Sequence, residues 1–308
     1  TRWRELIELN PEITNVIAVD TRTWRRAWLR AGTWRSVAGV VGILRRARYD
    51  AALDLQGLYK SAALAWLSSA PRRYGFDYGF TKERSAGMFY TEWVRPPENA
   101  HVIEMNLALA RAAGAGDACL TNRQFPLQTL PEDEAYVEDQ LRRQHVGDFF
   151  FLSPGGGWGS KCWPVERYAT LHNALARRYG WRSVINVGPG EEHLLREFLA
   201  HARVTRPVHF PLSLRQLVAL VRRARAFVGG DTGPLHLAAA LGTPAVGLYG
   251  PTDPARNGPY SSRAVVVHHR ELATITYRRE AQPGPALLAI TVEEVLAAVE
   301  RCLEAAGG

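Results

Sequence analysis

Val228-Gly229-Gly230-Asp231-Thr232-Gly233-Pro234-Leu235-His236-Leu237-Ala238-Ala239-Ala240-Leu241-Gly242 joins an apolar run to a helix-forming run through a glycine-bounded turn. Ala226 to Val228 reads as a buried strand ended by glycines. Pro234 sits at a first helical position, where its missing N–H costs nothing. The free amides of Thr232, Gly233 and the first turn then offer an anion site, through their donors and through the helix macrodipole. Asp231 fits a phosphate poorly, because a carboxylate beside a diphosphate repels it, but it suits sugar hydroxyls or the helix amides. Two readings stand at this point. One is a sugar-nucleotide site; the other is an ordinary strand-to-helix junction in which Asp231 caps and His236 packs.

Working outward, the 308 residues are 46% hydrophobic, enough to bury a large core and to suggest two domains. A formal charge of +8 favours anionic partners without choosing among nucleotides, lipid headgroups and nucleic acid. Lys60, Lys82 and Lys161 are the three lysines among 38 basic residues, so each is singled out. Cys119, Cys162 and Cys302 lack metal-ligand spacing and fit a reduced, cytosolic compartment. No apolar run approaches the roughly 20 residues of a membrane span, and no signal peptide is evident. The chain begins at Thr1 in mid-pattern, as a fragment would.

Strand and helix patterns alternate along the chain. Val16 to Val19 reads as a strand, the basic aromatic stretch Arg22-Thr23-Trp24-Arg25-Arg26-Ala27-Trp28 leads to a helix over 37–46, and Tyr49 to Leu55 reads as a second strand. A helix over 60–67, a short strand before Asp77 and a helix over 102–113 follow, and an extended connection at 121–131 marks the domain boundary. Domains of 1–130 and 131–308 are expected. The second restarts with a helix to Gln144, the aromatic strand Phe149 to Leu152 and the loop Ser153-Pro154-Gly155-Gly156-Gly157-Trp158-Gly159. Further helices (165–179, 191–200) and strands (183–187, 244–249) alternate after it. Ser213 with Gln216 and Thr291 with Glu294 read as capping boxes. The terminal helix, over 291–306, is amphipathic and is expected to pack back on the N-terminal domain. Such alternation implies parallel sheets covered on both faces, an α/β fold.

In open α/β sheets ligands bind beyond the carboxyl ends of the strands, so the loops there are compared first. Lys161 closes the Gly155-Gly156-Gly157 loop, Glu191 opens a helix after Gly188-Pro189-Gly190, and Asp231 to His236 forms the third loop. A lysine for a diphosphate, an acid for ribose and a helix N-terminus for phosphate together suit a nucleoside diphosphate sugar. Each has a plainer reading: Lys161 as a solvated loop residue, Glu191 as a helix-dipole partner, His236 as a hydrogen-bonded core histidine.

Several strings, in order over almost the whole chain, resemble the bacterial ADP-heptose:lipopolysaccharide heptosyltransferases, glycosyltransferase family 9. They are Asp54-Leu55-Gln56-Gly57-Leu58-Tyr59-Lys60-Ser61-Ala62, Arg73-Tyr74-Gly75-Phe76-Asp77, Gly155 to Pro164 with Lys161, Gly229 to His236, and Gly250-Pro251-Thr252-Asp253-Pro254. The likeness is strongest to the heptosyltransferase I branch. It implies the GT-B fold, two Rossmann-like domains facing a cleft, with the donor ADP-heptose in the C-terminal one and an anionic lipid A–Kdo acceptor towards the N-terminal one. It further implies that Lys161 stabilises the departing diphosphate. In this picture Gly156 and Gly157 flank the donor, Glu191 contacts the ribose, and Asp231 holds heptose hydroxyls. Thr232 and Gly233 meet the phosphates, with His236 nearby, while Arg22, Arg25, Arg26 and Arg84 face the acidic acceptor. A solvated basic surface is the plainer reading of those arginines.

Members of the family begin with a strand, a glycine loop bearing the catalytic aspartate, a helix and a second strand. The sequence starts after that pattern, so no residue of 1–308 inherits the general base. Nucleotide binding without turnover is the expectation for a chain lacking it. Asp54 and Asp77 match other family strings. The resemblance implies an inverting, metal-independent transferase without a cofactor, monomeric, peripheral on the cytoplasmic face of the inner membrane and not a nucleic-acid binder. Three alternatives stay open: a heptosyltransferase II acceptor (heptose), a GT-B nucleotide-sugar epimerase, and a basic nucleic-acid-binding protein, the last without any recognisable binding module.

Overall fold

In a computed structural model that describes residues 3–117, 124–276 and 280–307, the chain divides into two compact units. The first comprises Thr1–Glu8 and Ile13–Gln124, the second Leu9–Glu12 and Phe125–Gly308. Cys119 and residues 121–123 of the expected connection lie outside the described residues.

The first unit is built on three parallel strands in the order β1 (Ala51–Leu53), β2 (Arg72–Phe76), β3 (Glu92–Val94). The helix Tyr59–Leu67 crosses from β1 to β2, and Val102–Ala112 packs Met105 and Leu109 against Tyr74 and Phe76. Asp54, at the end of β1, is 4% exposed and accepts from the amides of Gln56 and Gly57 and the hydroxyls of Ser61 and Tyr90. Four donors on one carboxylate make it the organiser of the Gln56-Gly57 turn. The strand expected at Val16 to Val19 is not formed: these residues belong to no helix or strand among the described residues. Its β-branched run has no neighbour to complete a ladder, and pairing, not propensity, makes a strand.

The second unit carries five parallel strands: β4 (Phe149–Ser153), β5 (Arg182–Ile185), β6 (Ala226–Gly230), β7 (Ala245–Tyr249) and β8 (Ala264–His268). Their order in the sheet is β5-β4-β6-β7-β8. Every residue of β4, β6 and β7 is buried, as expected of parallel strands covered on both faces. Both expected capping boxes form: Ser213 accepts from the Gln216 amide at 3.2 Å, and Thr291 from the Glu294 amide at 3.2 Å.

The terminal helix is Val292–Gly307. Val295, Ala298, Val299 and Cys302 are buried in the same core as Phe150, Val228, Val246 and Leu248, so the helix covers the second unit's own sheet. Its apolar stripe finds a matching face on β6, β7 and β8 and on the helix Val165–Tyr179.

Candidate donor-binding site

The strand order fixes where a site forms. β4 leads outward to β5 on one side, and the chain returns to β6 on the other, so the loops after β4 and β6 diverge at a topological switch point. Ligands of doubly wound sheets sit in the crevice such a point opens. The loop after β4 runs through Gly155, Gly156 and Gly157 to the 3-10 turn Gly159–Lys161; the strand β6 ends at Gly230, directly before Asp231.

Two glycines let these loops meet. A Cβ on Gly230 would lie 2.5 Å from the carbonyl oxygen of Lys161, so only glycine lets the lysine backbone cross the end of β6. A Cβ on Gly155 would lie 2.1 Å from Glu191 Oε2 and would displace that carboxylate from its place against the loop.

Lys161 Nζ donates to Asp231 Oδ2 at 2.5 Å, with 15% and 8% of the two side chains exposed. The ammonium also lies 4.6 Å from the centre of the Trp158 ring, a cation–π contact. His236 Nε2 donates to Asp231 Oδ1 at 3.0 Å, which places the proton on Nε2, since a carboxylate only accepts. Burial by itself would raise the Asp231 pKa; hydrogen bonds from His236 and Lys161 and the lysine charge outweigh it and hold the group down at about 2, with Thr252 beside it. Asp231 is therefore a permanent anion at any physiological pH. Burial and that same carboxylate push the neighbouring Tyr249 phenol up, keeping it a hydroxyl that donates to Asn257 O at 3.0 Å.

These contacts decide the reading of Asp231 as a helix cap. Both its oxygens are committed to Lys161 and His236, and no side chain caps the helix Gly233–Ala240. Thr232 is extended at the N-cap, and Pro234 contributes no N–H. Leu235 and His236 direct their amides to Thr232 O, and the helix start lies next to the paired lysine without a side-chain cap. His236 is 43% exposed at its side chain and is not a core histidine.

Glu191 is half-buried; its Oε2 accepts from the amide of Gly188 at 2.7 Å and faces Gly155, so it knits the loops after β4 and β5 together. Gly156 lies against Cys162 Sγ and Thr232, whereas Gly157 faces open space. The Cys162 thiol, half-buried and close to Glu191, is pushed up to about 11, chiefly by its partial burial, and stays neutral, so it is no nucleophile. Arg22, Arg25, Arg26 and Arg84 are exposed on the first unit, the first three on the helix Thr21–Arg26 and Arg84 at the start of the 3-10 turn Arg84–Phe89.

Sequence reasoning misses Trp158, Thr252 and Tyr249 as neighbours of the Lys161–Asp231 pair. The aromatic inside a glycine loop and the polar Thr252 just after a strand were both available as signals.

A family model, glycosyltransferase family 9 (heptosyltransferase), matches residues 40–285, well over half of the chain. The chain belongs to glycosyltransferase family 9. Lipopolysaccharide heptosyltransferase 1 of Pseudomonas aeruginosa is 30% identical over 85% of this chain and 72% of its own length. Lipopolysaccharide heptosyltransferase 3 of Escherichia coli is 25% identical over 97% of this chain and 87% of its own. Among solved structures, E. coli heptosyltransferase WaaC with ADP superposes with a TM-score of 0.75 at 26% identity, covering 97% of this chain and 87% of that one. The family-9 chain is a glycosyltransferase with the α/β, parallel-sheet architecture of the GT-B heptosyltransferases.

Proposed function

We propose that this family-9 enzyme transfers heptose from ADP-heptose to a Kdo residue of an anionic lipid A–Kdo acceptor, in assembly of the lipopolysaccharide inner core at the cytoplasmic face of the inner membrane. The observation that carries the donor half is the Lys161–Asp231 pair at the switch point, beside a helix start with no side-chain cap. Relatives are named lipopolysaccharide heptosyltransferases, and one solved relative is E. coli heptosyltransferase WaaC with ADP.

In this reading the ligand re-partners the charges. Lys161 turns from Asp231 to the diphosphate, the amides of Thr232 and Gly233 take phosphate oxygens, and Asp231, still held by His236, accepts from heptose hydroxyls. Glu191 meets the ribose, with Gly156 and Gly157 leaving room for the donor. As the acceptor hydroxyl loses its proton to a base, its oxygen bonds to the anomeric carbon from the opposite face. The bond from that carbon to the phosphate oxygen breaks, and ADP leaves with the electron pair, its charge met by Lys161 and the helix amides. The configuration inverts. No metal and no cofactor enters the scheme, and Arg22, Arg25, Arg26 and Arg84 face the acidic acceptor.

A second acceptor is favoured by one observation: relatives named heptosyltransferase 3 align along almost the whole chain. Incubation with ADP-heptose and either a lipid A–Kdo glycolipid or one already bearing heptose separates the two. With the family's N-terminal catalytic aspartate segment in place, a heptosyl mass gain on the Kdo glycolipid is expected. Gain on the heptose-bearing glycolipid alone contradicts the Kdo assignment, and an epimerised sugar nucleotide without glycolipid product contradicts transfer altogether.

A further inference from the structure

The whole charge excess of the chain resides in one segment. Between Thr21 and Tyr49 there are eight arginines, at 22, 25, 26, 30, 35, 45, 46 and 48, and no acidic residue, while the full chain carries a formal +8. Outside that segment, acids and bases balance. None of the eight makes an ion pair among the described residues.

The segment folds as a corner of two helices, Thr21–Arg26 and Ala31–Ala47. Asp20 caps the first through the amides of Arg22 and Thr23. Thr33 Oγ1 donates to Ala27 O at 2.7 Å, and Trp24 Nε1 donates to Ser36 Oγ at 3.1 Å, so the turn is held by its own bonds. At its tip three large apolar side chains stand in solvent: Trp28 at 60%, Leu29 at 78% and Trp34 at 61% exposed. Arg25, Arg26, Arg30 and Arg35 surround them in the chain.

The geometry points to an anionic lipid bilayer as the partner of this corner, with Trp28, Leu29 and Trp34 entering the interfacial layer and the arginines meeting lipid phosphates. Tryptophan favours the membrane–water interface, and basic side chains beside an apolar wedge are drawn to acidic headgroups. Nucleic acid would satisfy the arginines but not Leu29, the most exposed of the three and without a ring to stack on a base. No helix among the described residues is long and apolar enough to cross a membrane, which suits contact from one side. The inference rests on the proposed lipid-acceptor function, since a bilayer at this corner would bring the enzyme to its glycolipid. It assigns Trp28, Leu29 and Trp34 a role separate from sugar recognition.

The test uses vesicles free of any glycolipid: phosphatidylglycerol mixed with phosphatidylcholine, against phosphatidylcholine alone, in co-sedimentation at low and high salt. Wild type is expected to pellet with the anionic vesicles at least tenfold more strongly than with neutral ones, and less at high salt. Trp28→Ser/Leu29→Ser/Trp34→Ser should weaken this at least tenfold, and so should Arg30→Gln/Arg35→Gln, which leaves the apolar side chains in place. Brominated phosphatidylglycerol should quench wild-type tryptophan fluorescence more than that of the triple variant. ADP affinity, measured on the same samples, should not change; its absence in wild type as well would count against the donor reading and leave the bilayer result standing. Equal binding to both vesicle types, a triple variant that binds like wild type, or an oligonucleotide bound by this corner in place of vesicles would each overturn the proposal.

Discussion

Asp231 keeps a full negative charge with only 8% of its side chain exposed, because a lysine and a histidine each take one of its oxygens. The pairing was not legible in the sequence. Lys161 and Asp231 are 70 residues apart, and only the insertion of β4 between β5 and β6 brings them together. What the sequence did carry was the type of each residue: a rare lysine and an awkward acid, each closing a glycine loop. The pair has a measurable signature in acid. The Asp231 pKa is lowered from 3.8 to about 2, so its stabilisation is complete above about pH 4 and disappears as pH falls through 2. The shift corresponds to about 2 kcal/mol. Urea midpoints at pH 5, 3 and 2 should therefore fall more steeply for wild type than for Lys161→Met/Asp231→Asn, which removes both charges. Parallel curves would remove the pair from the stability of the fold.

At the scale of elements, legibility followed periodicity and burial. The apolar run Phe149 to Leu152, the helix Val165–Tyr179 and both capping boxes stand out because local sequence alone specifies them. β3 does not, since Glu92-Trp93-Val94 is three residues long, with Glu92 and Trp93 exposed, and is made a strand only by β2. β8, an edge strand paired on one side with β7, is likewise defined by its neighbour. The unpaired Val16 to Val19 is the converse error, and the terminal helix shows that an amphipathic stripe announces burial without naming the partner. One element joins stability to the site. Trp163 closes the Lys161 loop, is fully buried, meets Tyr168 edge to face at 5.0 Å and donates to Ile290 O at 3.0 Å. Replacing it by alanine should cost about 3–5 kcal/mol in urea unfolding, because the change removes a large buried ring together with its hydrogen bond to Ile290 O, which keeps only the bond from Arg167 Nη1. A cost below about 1 kcal/mol would show that the loop does not depend on this anchor.

For the molecule as a whole, every proposed donor contact, Gly156, Gly157, Lys161, Glu191, Asp231, Thr232, Gly233 and His236, lies in the second unit. Arg22, Arg25, Arg26 and Arg84 lie in the first. In the proposed function ADP is recognised by one Rossmann-like unit, and the central claim is that its lysine leaves Asp231 for the diphosphate. Titration calorimetry with ADP on wild type and Lys161→Ala tests that claim most directly, with circular dichroism to check that the variant, left with an unpaired buried carboxylate, is still folded. Lys161→Met/Asp231→Asn serves as the second variant, because it leaves no orphaned charge. Loss of one charge-assisted contact, worth about 1.5–3 kcal/mol, predicts ADP binding weakened by roughly 10- to 150-fold in Lys161→Ala. Equal affinity in wild type and the folded variants would contradict the account.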